Sequence, residues 1–289
     1  MTARVTLDSV TLTVLCENTV GRSPGLIGEW GLSVWIEAGD RCVLLDAGEA
    51  AACVGNAAKL GVDLARAEAV VVSHGHFNHT GGLARALPLM PKARIYLHED
   101  ASLHRYATAS DIQVNPDDPP DIGMPEASRA ALASRGVVTV DGPLEVVPGV
   151  WVTGPIPREE AVEGRGGSGW LDRARTRPDT IRDDMAVWIE TAAGVLVVLG
   201  CAHAGLINTV RLVQRHAEGA PIVGVVGGTH LRQTSAERMK TTLGFLGSLA
   251  LQLLAPCHCT GAPEAFELRK AFPRQFTGMT VGDVIHFPA

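Results

Sequence analysis

No stretch of the 289 residues approaches the ~18 to 20 consecutive apolar residues that a membrane-spanning helix requires. The nearest candidate, LGFLGSLALQLLAP (243–256), is too short and reads as a buried helix passing into a strand, so no membrane partner is expected. The first twenty residues, MTARVTLDSVTLTVLCENTV, alternate like a strand and lack the uninterrupted apolar core of a secretory signal. Positive charge is also short: 25 Lys and Arg against 31 Asp and Glu give a net charge of −6. Nucleic acid is therefore not an expected partner, because its binding draws on an excess of Lys and Arg that releases counterions. A small molecule is the expected one. Six cysteines, at 16, 42, 53, 201, 257 and 259, are too few for the disulfide framework of a small secreted domain. A reducing cytoplasmic setting is expected, with Cys42 in RCVLLDAG acting as a small buried hydrophobe.

What is present is an ordinary globular composition, 46% hydrophobic and 19% charged. One domain over residues 1–289 is allowed at this length. Period and turn signals predict strands near 5–16, 32–38, 41–46, 69–73, 94–98, 137–140, 144–153, 185–190, 194–200, 221–227, 252–256 and 283–287. Helices fit 50–60, 82–88, 99–106, 126–135, 206–217, 234–249 and 262–271. Two Gly-, Pro- and charge-rich segments, 110–127 and 156–180, interrupt this order and read as lid-like insertions. In the second, Trp170 stands among glycines and charges, and is expected to turn toward a pocket together with nearby arginines.

The chemistry concentrates in VVSHGHFNHTGG (71–82), where His74, His76 and His79 follow a strand and precede the glycines that open a helix. Extended backbone aims alternate side chains from a fixed edge, and neutral imidazole is the commonest metal ligand near neutral pH. Three imidazoles in six residues point to a metal site. His203 and His258 each follow an apolar strand, where a rigid sheet presents a ligand well. His98, His104, His216 and His286 read as surface or strand-end residues.

These segments resemble the metallo-β-lactamase superfamily, whose motif H-x-H-x-D-H is matched by His74, His76 and His79, with Asn78 in place of the aspartate. LLDAG (44–48), DDMAVWIETAAGVLVVLGCAHAGLIN (183–208), VVGGTHL (225–231) and PCHCTG (256–261) resemble one branch. That branch carries the label of 7,8-dihydropterin-6-methyl-4-(β-D-ribofuranosyl)aminobenzene 5'-phosphate synthase. The resemblance implies an α/β fold, a four-layer αββα sandwich, with metal ligands His74, His76, His79, His203 and His258. The implied cofactor is Zn2+, one or two ions, with iron or manganese as alternatives. Asp46 is expected to orient a ligand imidazole. Asp183 and Asp184 match paired aspartates of the branch, and Asp184, His230 and Asn78 are the catalytic candidates. Cys201, Cys257 and Cys259 flank the ligands and are expected to be buried behind them, with Cys201 the candidate exception that reaches an ion, since members of the superfamily often place a ligand there.

Asn offers a neutral carbonyl where the motif has a carboxylate, and it cannot act as a base, so a second ion should bind more weakly. The implied function is metal-dependent hydrolysis of a small anionic molecule by an ion-activated water, the branch label suggesting a phosphate or pterin-like group. Two other classes are carried beside it. One is a non-catalytic metal or ligand-binding module of the same fold, favoured by Asn78; the other is a metal-assisted transferase or synthase.

Overall fold

A computed structural model describes residues 6–108, 118–164 and 169–288. Thirteen strands form two sheets among these residues. The first contains β1 (Ser9–Cys16), β2 (Ser33–Ala38), β3 (Arg41–Leu45), β4 (Ala69–Val71), β5 (Arg94–Leu97), β6 (Val137–Thr139) and β13 (Val284–Pro288), in the order β13-β1-β2-β3-β4-β5-β6. The second contains β7 (Leu144–Val147), β8 (Val150–Val152), β9 (Ala186–Thr191), β10 (Gly194–Leu199), β11 (Ile222–Gly228) and β12 (Leu253–Cys257), in the order β12-β11-β10-β9-β8-β7. The helices are α1 (Ala52–Leu60), α2 (Phe77–Thr80), α3 (Leu83–Ala86), α4 (Glu126–Ala133), α5 (Leu206–His216), α6 (Ala236–Gly247) and α7 (Ala262–Ala271).

Alternation along the strands decides the layering. In β10, Leu196 and Val198 join a core shared with Leu12, Val14, Ile36 and Val43 of the other sheet. Val195, Val197 and Leu199 point the other way, onto Leu206, Val210 and Val213 of α5. The first sheet does the same: Leu44, Val70 and Ile95 pack outward against Ala57, Leu83 and Leu132 of its helices. A strand buried on both faces reads as a continuous apolar run, which is why VLVVLG carries no polar alternation. The result is an αββα sandwich, as expected from the sequence.

Three predicted elements differ. The strand predicted over 144–153 is a hairpin, because Gly149 turns the chain at φ 77° between β7 and β8. The helix predicted over 99–106 is only a 3-10 turn, Glu99–Ser102, after which the chain extends so that Tyr106 exchanges backbone hydrogen bonds with Trp170. The helix predicted over 82–88 is short, α3 followed by a 3-10 turn at Leu87–Leu89 with Pro in its first turn.

Of the two insertions, 109–117 and 165–168 lie outside the described residues. The described part of 156–180 is tied down. The Arg158 guanidinium donates to the His203 and Thr180 carbonyls, and both Glu163 carboxylate oxygens accept from Ile207 and Asn208 N–H at the start of α5. Trp170 is half-buried, and its backbone bridges to Tyr106 and Pro178.

Candidate metal centre

Parallel pairing puts the C-terminal ends of β3, β4, β10, β11 and β12 on one edge of the sandwich. Each strand releases a polar residue there: Asp46 after β3, His74 and His76 after β4, Cys201 and His203 after β10, His230 after β11, His258 after β12. His79 follows on α2. The two sheets meet closely because Gly200 has no side chain; a Cβ there would lie 2.2 Å from Ser73 Oγ.

On His74, His79 and His258 the outward ring nitrogen has an acceptor, and this fixes what the inward one presents. His74 Nδ1 lies 3.0 Å from Ser73 Oγ, whose own proton goes to Asp46 Oδ2 at 2.6 Å, so the hydroxyl accepts from the imidazole. His74 Nε2 is then a bare lone pair, 3.0 Å from His76 Nδ1 and 3.2 Å from His203 Nε2. His79 Nδ1 donates to Asp46 Oδ2 at 2.7 Å, leaving Nε2 to face His258 Nε2 at 3.1 Å and Cys201 Sγ at 3.3 Å. His258 Nδ1 donates to Asn18 Oδ1 at 2.9 Å, and Asn18 Nδ2 donates back to the His258 carbonyl at 3.1 Å. Tautomers follow from these partners.

Lone pairs converging at hydrogen-bond distance without protons repel, whereas a cation between them would be bound by all of them. The donors fit such an ion. His74, His76 and His203 offer atoms within 4.8 Å of one another, and so do His74, His79 and Cys201. Nitrogen and sulfur donors of this kind suit zinc and its neighbours rather than magnesium or calcium. Burial is the main reason that His74, His76 and His203 are held well below the ordinary histidine range, and that His258 is pushed down to about 3. They are therefore neutral near pH 7, the form that carries a lone pair.

The carboxylates stand behind the rings. Asp46 is fully buried and also accepts Ser73 N–H at 2.7 Å. Asp183 Oδ2 accepts Gly75 N–H at 2.7 Å, gripping the peptide between His74 and His76, and its Oδ1 accepts from Arg105 at 2.6 Å. Asp184 Oδ2 accepts Ala204 N–H at 2.6 Å, while its Oδ1 has no hydrogen-bond partner among the described residues. Burial raises the Asp184 carboxyl to about 7.

Asn78 is buried, and its Nδ2 lies 3.3 Å from His258 Nε2, donating into the lone pair that His258 turns inward. His230 is exposed at the mouth, with its ring 4.3 Å from that of His203. Cys257 instead belongs to the core between the sheets. His98 is buried at the end of β5, where Nδ1 accepts Asp100 N–H; His104 pairs with Asp121 at the surface, and His216 and His286 are exposed.

Several supporting residues carry no sequence signal strong enough to find. Arg105 is 1% exposed and ion-paired to both Asp179 and Asp183. Glu17 Oε1 accepts His258 N–H at 2.8 Å, and Asn18 anchors the His258 ring. A run such as CENTV shows nothing of a partner 240 residues away.

The chain is 26% identical over 295 residues to 7,8-dihydropterin-6-methyl-4-(beta-D-ribofuranosyl)-aminobenzene-5'-phosphate synthase of Methanocaldococcus jannaschii, covering 97% of this chain and 98% of the relative. Among solved structures, Tm1679, described as a metal-dependent hydrolase of the beta-lactamase superfamily, superposes with a TM-score of 0.81 at 24% identity, covering 97% of this chain and 100% of that one. Zn(2+)-bound PqqB from Methylobacterium extorquens shares the fold at TM-score 0.52 and 15% identity, covering 95% and 99% of the two chains. The sequence model of the Metallo-beta-lactamase superfamily matches residues 31–188, more than half of the chain, and the protein belongs to that superfamily.

Proposed function

We propose that this protein is a metal-dependent hydrolase of small anionic substrates. The observation that carries the reading is the pair of facing nitrogen sets, His74/His76/His203 and His79/His258, in which the anchored outward nitrogens of His74, His79 and His258 leave their Nε2 atoms as inward lone pairs. Those residues, with Cys201, would hold one or two ions of the zinc class. A bound ion there supplies a Lewis acid and lowers the pKa of water.

The chain's own groups do the remaining work. Ser73 and Asp46 hold the tautomers of His74 and His79. Asp183 holds the Gly75 peptide, and with it the relative aim of His74 and His76. Asp184 Oδ1, unpartnered and near neutrality, is the atom able to hold a proton and pass it to a leaving group. His230, at the mouth, can donate to an anionic substrate oxygen. Asn78 orients by its amide and takes no proton.

The full-length match to a protein named as a synthase favours a second reading, a metal-assisted transferase or synthase. One experiment separates the readings. Metal-loaded and chelator-stripped protein are offered a phosphodiester, a diphosphate and a lactone, with His76→Ala as control. Turnover that needs both metal and His76 supports hydrolysis. Retained metal with no turnover of any of them refutes it.

A further inference from the structure

We infer that Cys201, His230 and Cys259 form a sulfur-rich metal position beside the histidine cluster, and that it supplies the negative charge which Asn78 withholds from a second ion. The inference rests on the metal-dependent reading above and deepens it. The ligand atoms of these three residues lie within 4.8 Å of one another, from the ends of three adjacent parallel strands, β10, β11 and β12.

Close approach is built into the backbone. A Cβ on Gly228 would lie 2.3 Å from the Gly200 carbonyl and 2.8 Å from Cys259 Sγ, so only glycine lets β11 pass between the two sulfur-bearing loops. His230 and His258 adopt φ of 48° and 53°, left-handed conformations that cost a histidine energy and turn the chain sharply on either side of Cys259. His230 N–H donates to Cys259 Sγ at 3.2 Å, and Cys259 Sγ in turn lies 3.3 Å from the Cys201 carbonyl, so the two cysteine loops and His230 are tied together at this position. The triad also grades from interior to surface, with Cys201 buried, Cys259 half-buried and His230 exposed, which gives an ion a route in.

Charge decides between this position and an all-histidine second site. Imidazole donors bring no negative charge to offset two divalent ions. Asn78 offers only an amide and adds none. Asp46 and Asp183 have both oxygens engaged by protein donors. Beside the one free oxygen of Asp184, the sulfurs of Cys201 and Cys259 are the donors here that add negative charge when they bind an ion, and Cys201 Sγ, 3.3 Å from His79 Nε2, joins the two clusters. Thiolate donors select zinc, cobalt or cadmium over magnesium and manganese.

The test uses the full chain loaded with Co2+, reading ions per chain and the near-ultraviolet sulfur-to-cobalt absorption. In Cys259→Ser and His230→Ala, one ion per chain should be lost and the sulfur band should weaken, whereas His76→Ala should keep the band. Should the variants fold poorly, the wild type suffices: zinc should slow alkylation of Cys259 by iodoacetamide relative to chelator-stripped protein. An unchanged band and ion count in Cys259→Ser, equal alkylation with and without zinc, or a Cys201–Cys259 disulfide in the metal-loaded protein would each overturn the inference. A chain that holds ions through His76 while Cys259→Ser behaves as wild type removes this inference alone. A chain that binds no ion removes the proposed function with it.

Discussion

Arg105→Met isolates the buried charge behind the metal loop. The guanidinium is 1% exposed, donating to Asp179 at 3.0 Å and to Asp183 at 2.6 Å, with those carboxylates 5% and 0% exposed. Met has similar bulk and no charge, so the variant strands two carboxylates with little change in packing. Each keeps one backbone donor, Ile181 N–H for Asp179 and Gly75 N–H for Asp183, so the loss should resemble one broken buried pair, about 3–5 kcal/mol, rather than two. The pH dependence follows from Asp179. Burial already holds its carboxyl above the ordinary range, against the pull of Arg105, and without that cation it rises further. A carboxyl with a raised folded pKa favours the native state below its unfolded pKa and loses that advantage as pH rises through the folded value. The penalty should therefore be larger at pH 8 than at pH 5. Equilibrium urea unfolding of metal-free protein at the two pH values measures it. A loss below about 1 kcal/mol, as for an exposed pair, or the same loss at both pH values, would refute the reasoning. Adding Asp179→Asn and Asp183→Asn should recover much of the stability, since the neutral set leaves no buried charge unpaired.

Asp46→Asn should free the His79 ring and cost ~10–100-fold in metal affinity, read by chelator competition; an unchanged affinity would show that Asp46 only supports the fold. Asn78→Asp puts a carboxylate beside His258 and should slow loss of the more weakly held ion during dialysis against chelator, with equal retention in both proteins counting against a limiting role for position 78. Glu163→Ala removes the acceptor for two N–H groups at the start of α5 and should cost about 1 kcal/mol in unfolding free energy, with little change in metal content.

Most of the sandwich is readable in the sequence because its strands are buried on both faces or alternate cleanly, so VLVVL and IVGVVGG can be little else. The histidines are legible for the same reason: each stands where an apolar run stops. Helices failed where a side chain's tertiary partner outweighed local period. Residues 99–106 have helical spacing, yet Arg105 turns inward to two aspartates and Tyr106 pairs with Trp170, which a helix there would prevent. The anchors of His258, Glu17 and Asn18, lie at the end of β1, and nothing local marks them.

The carboxylates bear on the proposed preference for an anionic substrate. Asp46 spends one oxygen on Ser73 N–H and the other on Ser73 Oγ and His79. Asp183 spends its pair on Gly75 N–H and Arg105, and Asp184 gives one oxygen to Ala204 N–H. Most of the charge that would neutralise an ion directly is thus used to build the frame, and apart from the second Asp184 oxygen the donors left are imidazoles, an amide and thiols. Such a face holds cations by lone pairs and leaves their charge only partly offset, even with both thiols ionised. In a low-dielectric site that residual charge is felt strongly. A substrate phosphate or carboxylate then completes the balance, and a neutral analogue of the same shape should bind more weakly for want of it.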